Sequence, residues 1–342
     1  MATRRASSLS LLSSFLGATR HITRAPRPKF IKTFQQLLRK ATPPAAKERP
    51  AAGRGKMARR FLQWEGSRRA YWLYEPEFQA GSPLPLVVML HGCQQDAKDF
   101  AQGSHMNKLA EHYGFAVAYA EQTQRANRMR CWNWFARHHQ GQSGESALIS
   151  ALALDAARKA GADASCIYLA GMSAGGAMAL VAAHAYPDVF AAVACHSGVP
   201  LGAASNAYEA LRVMRHGPSG VVSTPSVFVP TIVFHGSDDT LVHPVNAARI
   251  VDAALRAASK STGGQLVPLP WPAQAGASGS NEVTVSRWVD RQGRVQVESW
   301  SIGDMGHAWA GGSDAGKFTA RSPVDASEAM VAFFLSHRRS PR

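Results

Sequence analysis

The chain has 342 residues, 46% of them hydrophobic and 18% charged, which is enough to bury a large core. Its net charge of +15 is unevenly placed: residues 1–60 carry 15 basic side chains and one acid, Glu48, whereas residues 61–342 carry 23 basic and 22 acidic ones. The basicity therefore belongs to an N-terminal segment, which argues against a body that binds nucleic acid through clustered cations; no apolar run reaches the ~18 residues of a membrane-spanning helix.

Residues 1–60 are rich in Arg, Ser, Ala and Pro, a composition that cannot offset ordering entropy and reads as a largely disordered tail. Within it, Met1–Ala18 places Arg4 and Arg5 before Leu9, Leu11, Leu12, Phe15 and Leu16 and ends in Gly17-Ala18. That is an imperfect secretory-signal pattern, diluted by five serines. Lys29–Lys40 sets Phe30, Phe34, Leu37 and Leu38 on one helical face, with Lys32, Arg39 and Lys40 elsewhere. Such a helix suits weak association with an anionic surface. Export, surface association and plain solvation stand as alternatives for this tail.

Residues 61–340 read as a folded domain. Arg60–Trp64 and Arg69–Tyr74 predict an antiparallel hairpin. Leu84–Leu90 is a continuous apolar run ending in His91-Gly92, as expected of a strand buried on both faces. Met106–Tyr113 is helical in pattern, Phe115–Tyr119 is a strand, and Glu145–Ala160 is a helix. Cys166–Ala170 predicts a strand and Ala177–Ala185 a helix. Val189–His196 and Thr231–His235 are further strands, followed by a helix at Pro244–Ala258. Ser259–Asn281 is rich in Gly, Ser, Pro and Ala and reads as a flexible insertion. Val295–Ile302 is a late strand and Val324–Arg338 a closing helix. Strands alternating with helices predict an α/β fold with a mostly parallel central sheet covered on both faces.

Gly171-Met172-Ser173-Ala174-Gly175 is a G-x-S-x-G pentapeptide between a predicted strand and a predicted helix. That context is what a nucleophile elbow requires. Ser173 is the candidate nucleophile, and the backbone N–H of Ala174 is a candidate oxyanion donor. A serine hydroxyl needs a general base, usually a histidine oriented by a carboxylate. In this fold the chain order is serine, acid, histidine. Phe234–Val242 follows a buried strand and supplies Asp239, with Asp238 as its rival. Gly303–Trp309 places His307 in a glycine-flanked loop after the last strand. His91 and His235 precede glycines at strand ends and read as turn residues. The second oxyanion donor is expected in the loop after the third strand, where the Cys93 N–H is the candidate.

The four cysteines, Cys93, Cys131, Cys166 and Cys195, show no C-x-x-C spacing, so no metal site is expected. No phosphate loop or dinucleotide fingerprint appears, so no cofactor is expected. Cys166 and Cys195 read as buried small hydrophobes. Trp132, Trp134 and Trp309 lie near the motifs and are expected to wall a pocket for an acyl chain or aryl ring.

The segments LHGCQQ (90–95), NKLAEHYGFAVAYAEQ (107–122), CWNWF (131–135), GMSAGGAMA (171–179), YPDVFAAV (186–193), FHGSDDTLV (234–242) and GHAWAGG (306–312) together resemble the polyhydroxybutyrate-depolymerase-type esterases. That family lies within the α/β-hydrolases and includes feruloyl and acetyl-xylan esterases. The resemblance spans Tyr71 to Leu335. It implies a Ser173, Asp239, His307 triad, because the family pattern HG-x-x-D-x-x-V falls on His235, Gly236, Asp239 and Val242. It implies an oxyanion pair at Cys93 and Ala174, and a disulfide between Cys93 and Cys131 that favours an oxidising compartment.

The activity implied is hydrolysis of hydroxyalkanoate (oligo)esters, with feruloyl or acetyl-xylan esters as the alternative. Peptidase or thioesterase chemistry on the same triad is a further alternative, and a polyester-granule or membrane-surface binding protein is the non-enzyme one. The partner implied is a small-molecule or oligomeric ester, and the location implied is extracellular, with a cytoplasmic one as the alternative because the signal-like segment is imperfect. Family members that attack crystalline polymer often carry a separate binding domain. The sequence ends soon after its closing helix, and soluble esters are therefore the expected substrates.

Overall fold

Runs of apolar and β-branched residues build the centre of the molecule. The structure is a computed structural model that describes residues 55–77, 83–262, 264–269 and 282–340. Leu84–Leu90 (β3), Ala116–Ala120 (β4), Ala162–Met172 (β5), Ala192–His196 (β6), Thr231–Gly236 (β7) and Val295–Ile302 (β10) lie parallel in one sheet. Every residue of β4, β6 and β7 is buried, which is why these strands read as unbroken apolar runs rather than alternating ones.

Antiparallel strands finish both edges of this ten-stranded sheet: β1 (Lys56–Trp64) and β2 (Ser67–Glu75) on one side, β9 (Val283–Val289) and β8 (Val267–Leu269) on the other. The order is β1-β2-β4-β3-β5-β6-β7-β10-β9-β8. A short parallel pair, β11 (Trp309–Ala310) with β12 (Thr319–Ala320), stands apart from it.

The helices are α1 (Ala97–Ser104), α2 (Met106–Tyr113), α3 (Gly144–Ala160), α4 (Ala174–Ala185), α5 (Ala207–His216), α6 (Val245–Thr262) and α7 (Ala326–Leu335). Local chemistry sets their ends. Asp96, Asn206 and Asp325 cap α1, α5 and α7, their side chains accepting first-turn amides. Helix α4 is buried along almost its whole length; its Ala and Gly residues let it lie close to β5 and β6. With these helices packed on a mostly parallel sheet, the architecture is that of the α/β-hydrolases.

Three expectations change. The first strand begins at Lys56, so the chain enters the sheet before residue 61. Helices α1 and α5 and strand β9 were not anticipated: α1 and α5 are short, and Val283–Val289 is half-exposed along most of its length. The stretch 259–281 is in part regular, because α6 continues to Thr262 and Val267–Leu269 pairs with β9. Residues 270–281 lie outside the described residues, as do the two N-terminal segments singled out above.

Candidate active site

The predicted residues collect along one edge of the sheet because their loops leave neighbouring parallel strands at matching registers. Leu90 pairs with Gly171, Met172 with His196, His196 with Phe234, and Gly236 with Ile302. The loops that follow β3, β5, β7 and β10 therefore open side by side.

Ser173 sits between β5 and α4 with φ 56° and ψ −120°, a backbone conformation that costs a non-glycine residue about 1–3 kcal/mol. Neighbours hold it there. Its N–H donates to the His196 carbonyl at 2.9 Å, and its own carbonyl accepts the Ala177 N–H at 2.9 Å. Gly175 is required by close approach, since a Cβ there would overlap the Leu90 carbonyl oxygen. The serine is 8% exposed.

The Asp239 carboxylate is buried and fully engaged. Oδ1 accepts the Leu241 and Val242 N–H groups at 3.0 and 2.8 Å, and Oδ2 accepts His307 Nδ1–H at 2.7 Å. His235 Nε2 stands 3.4 Å from the same oxygen while donating to the Val242 carbonyl at 2.7 Å. Burial opposes ionisation of Asp239, but the charge of His307 and hydrogen bonds from both rings outweigh it and hold the carboxyl well below the usual range. The bond to Nδ1 fixes the His307 tautomer and leaves Nε2 as an acceptor. Asp238 is exposed and accepts only the neighbouring Ser237 hydroxyl, at 2.7 Å.

The His307 loop is seated on β7. Asp238 N–H donates to Met305 O at 3.0 Å, and Asp304 N–H donates to Ser237 Oγ at 3.0 Å. Among the described residues no hydrogen bond joins Ser173 Oγ to His307 Nε2; catalytic contacts of this type commonly tighten only when substrate is bound. One residue connects the two. His196 accepts the Ser173 N–H on its carbonyl and the Ala310 N–H on its ring Nε2, at 3.1 Å. Its ring is stacked against Phe234 and Trp309. Burial pushes it down to about 3, so it is neutral. Sequence reading passed over His196, since nothing local marks a histidine whose partners come from distant loops.

On the opposite side of Ser173, Gly92–Gln95 forms a tight turn. The N–H groups of Cys93 and Ala174 have no acceptor among the described residues, as the donors of an oxyanion site require. Cys93 is joined to Cys131 by a disulfide across 38 residues. A second network backs this loop: Gln122 N–H donates to His91 Nε2, Gln122 Nε2 donates to Glu145 Oε1 at 2.7 Å, and Asn133 N–H donates to Glu145 Oε2 at 2.7 Å. Buried Glu145 thus gathers the loops after β3 and β4 at the head of α3; its role was not foreseen. Replacing Cys93 and Cys131 together by serine is expected to lower unfolding stability by about 2–4 kcal/mol, read as the urea midpoint. Because Gln94 N–H still donates to Met129 O at 2.7 Å, ester turnover below the melting transition should survive.

The three tryptophans near the motifs are all buried. Trp309 is 1% exposed, its N–H donates to Ser327 Oγ at 3.0 Å, and Phe100 meets it edge-on. These contacts fix the ring in the segment that carries His307. Trp132 is equally buried, beside His91 at 5.9 Å, and Trp134 is buried against Phe135. Both rings belong to the loop that carries Cys131. No cluster of His, Cys, Asp or Glu able to hold a metal occurs among the described residues.

A serine on a strained strand-to-helix turn, with an Asp–His pair on later strands at the same sheet edge, defines the serine hydrolases of the α/β-hydrolase fold. The family model described as esterase PHB depolymerase matches residues 69–262, and the chain belongs to that family. The matched span contains Cys93, Ser173 and Asp239 but stops before His307, which stands on its bond to Asp239.

Poly(3-hydroxyalkanoate) depolymerase C of Paucimonas lemoignei is 34% identical over 185 residues, 49% of this chain and 44% of that protein. Feruloyl esterase B of Neurospora crassa is 31% identical over 192 residues, covering 51% and 64%. Probable acetylxylan esterase A of Neosartorya fischeri is 31% identical over 196 residues, covering 51% and 52%. The matches thus span about half of each of these relatives, somewhat more of the feruloyl esterase. Among solved structures, an acetyl xylan esterase from Aspergillus awamori superposes with a TM-score of 0.60 at 18% identity, over 82% of this chain and all of that one. At that identity the likeness shows the fold.

Proposed function

We propose that the protein is a serine carboxylic-ester hydrolase that cleaves uncharged hydroxyalkanoate oligoesters. The observation that carries this reading is the 2.7 Å bond from His307 to a buried, ionised Asp239 on the same sheet edge as Ser173. Ser173 Oγ attacks the ester carbonyl as its proton passes to His307 Nε2. Asp239 keeps the imidazole in the required tautomer and stabilises its cation. The Cys93 and Ala174 N–H groups receive the developing oxyanion. His307 then gives the proton to the leaving alkoxide, and the acyl-enzyme is hydrolysed by water along the same route.

Two further points belong to this proposal. The near-neutral charge of residues 61–342 suits uncharged substrates. The Cys93–Cys131 disulfide supports work in an oxidising, extracellular compartment, with the basic N-terminal segment bearing on delivery. A second reading, a feruloyl or acetyl-xylan esterase, is supported by the names of the fungal relatives.

The deciding measurement is kcat/KM, by pH-stat titration, for hydroxybutyrate trimer, methyl ferulate and acetylated xylan. The trimer is expected to be preferred by at least about tenfold, the discrimination that one well-filled apolar subsite gives. Preference for methyl ferulate or acetylated xylan would move the assignment to the second reading. Inertness toward all three would overturn both.

A further inference from the structure

We propose that Gln95 is a positioning residue for the oxyanion hole, which ties the Cys93 N–H to the segment that seats His307; this rests on the esterase reading above. The turn Gly92–Gln95 is closed twice. Gln95 N–H donates to the Gly92 carbonyl at 3.4 Å, and Gly92 N–H donates to Gln95 Oε1 at 2.9 Å. Cys93 and Gln94 are therefore the central residues of a two-residue turn, with Gln94 at φ 63°. This geometry turns the Cys93 N–H away from the turn's own carbonyls and leaves it available.

The other end of the Gln95 amide reaches across the molecule. Nε2 donates one hydrogen to Asp99 Oδ2 at 2.9 Å and the other to the Lys317 carbonyl at 2.9 Å. Asp99 Oδ1 accepts the Lys317 N–H at 3.1 Å. Gln95 and Asp99 together thus clamp both backbone groups of Lys317. One residue on, the Phe318 carbonyl accepts the Trp309 N–H at 2.7 Å, two residues from His307. A short chain of hydrogen bonds so runs from the oxyanion turn to the loop of the general base. Gln95 is 1% exposed, so these partners are met inside the protein rather than at its surface.

Only an uncharged primary amide supplies one acceptor and two donors in a plane at this site. Ionised glutamate would keep the acceptor for Gly92, lose both donors and face Asp99. Protonated glutamic acid would regain one donor. The charged groups around this point are Asp99, Asp96, Lys317 and Arg130, which pairs with Asp96 at 3.4 Å, and neighbouring His91 is kept neutral by burial.

The test compares Gln95→Met and Gln95→Glu with the wild type on p-nitrophenyl butyrate from pH 5 to 8, using the full chain. Both variants should lose about 10²-fold in kcat at pH 8 with KM nearly unchanged, the cost of a small misplacement of catalytic groups. The ratio of Gln95→Glu to wild type should rise as pH falls, whereas that of Gln95→Met stays flat. Unchanged kcat in both variants, a loss confined to KM, or parallel pH profiles for the two would each overturn the assignment. If Gln95→Met does not fold, the Gln95→Glu profile decides alone. An inert wild type, or a Ser173→Ala variant as active as the wild type, would remove the esterase reading and this role with it. A normal wild type with unaffected Gln95 variants would remove only the role of Gln95.

Discussion

Replacing Ser173 by alanine is expected to abolish ester turnover while leaving the fold intact. The loss in kcat should be about 10⁴–10⁶-fold, because nucleophile, base and oxyanion donors act as a unit and the donors alone give only a small residual rate. The fold should persist, since the contacts that hold the elbow are made by the backbone: Ser173 N–H to His196, Ala177 N–H to Ser173, and the close approach of Gly175 to Leu90. Alanine meets the same steric constraint at φ 56°, so the strain is unchanged and the melting temperature should stay close to that of the wild type. A fluorophosphonate probe followed by intact mass measurement gives the second readout. The wild type should take up one phosphonyl group and the variant none. Turnover or labelling that survived in the variant would place the nucleophile elsewhere.

Asp239→Asn should cost about 10⁴-fold in kcat, whereas Asp238→Asn should leave the rate near that of the wild type. Asparagine is isosteric, and its Oδ1 still accepts the Leu241 and Val242 amides. Its amide nitrogen cannot accept the His307 Nδ1–H, so the imidazole adopts the other tautomer and turns an N–H toward Ser173. The Asp238 side chain is solvent-exposed and among the described residues accepts only the Ser237 hydroxyl, and its backbone bond to Met305 is kept in the variant, so no bond that is lost reaches the ring. Equal effects of the two substitutions would refute the assignment of the acid.

Stability offers an independent check. Because the Asp239 carboxyl is held below its unfolded value, it contributes stability that is fully present above the ordinary carboxylate range, near about pH 4, and is lost as pH falls through its lower native value. The gap in urea midpoint between wild type and Asp239→Asn should therefore narrow on acidification.

Much of this was legible in the sequence, for physical reasons that can be named. Buried parallel strands must be apolar on both faces, so LPLVVML and the runs before His196 and His235 announce themselves. A nucleophile elbow needs small residues where backbones nearly touch, so Gly171 and Gly175 mark the turn. Chain order offered Asp239 and Asp238, the family pattern HG-x-x-D-x-x-V that the resemblance implies favoured Asp239, and the loop after the last strand offered His307. Other elements were faint. The eight-residue helix α1 starts from a single capping aspartate, and β9 has no marked alternation. The surroundings of Trp309 were not legible, because Phe100, His196 and Ser327 reach it from far along the chain.

The sequence by itself determined the alternation of strand and helix, the elbow and the order of the proposed triad residues, because periodicity and turn chemistry are properties of a few adjacent residues. Only the tertiary structure decided which polar atoms meet. His196 reaches Ala310 across 114 positions and Gln95 reaches Lys317 across 222. Those bonds exist because the folded sheet brings the loops after β3, β6 and β10 together at one end of its parallel strands and removes water from between them. Buried donors and acceptors must then pair with whatever the fold has placed beside them.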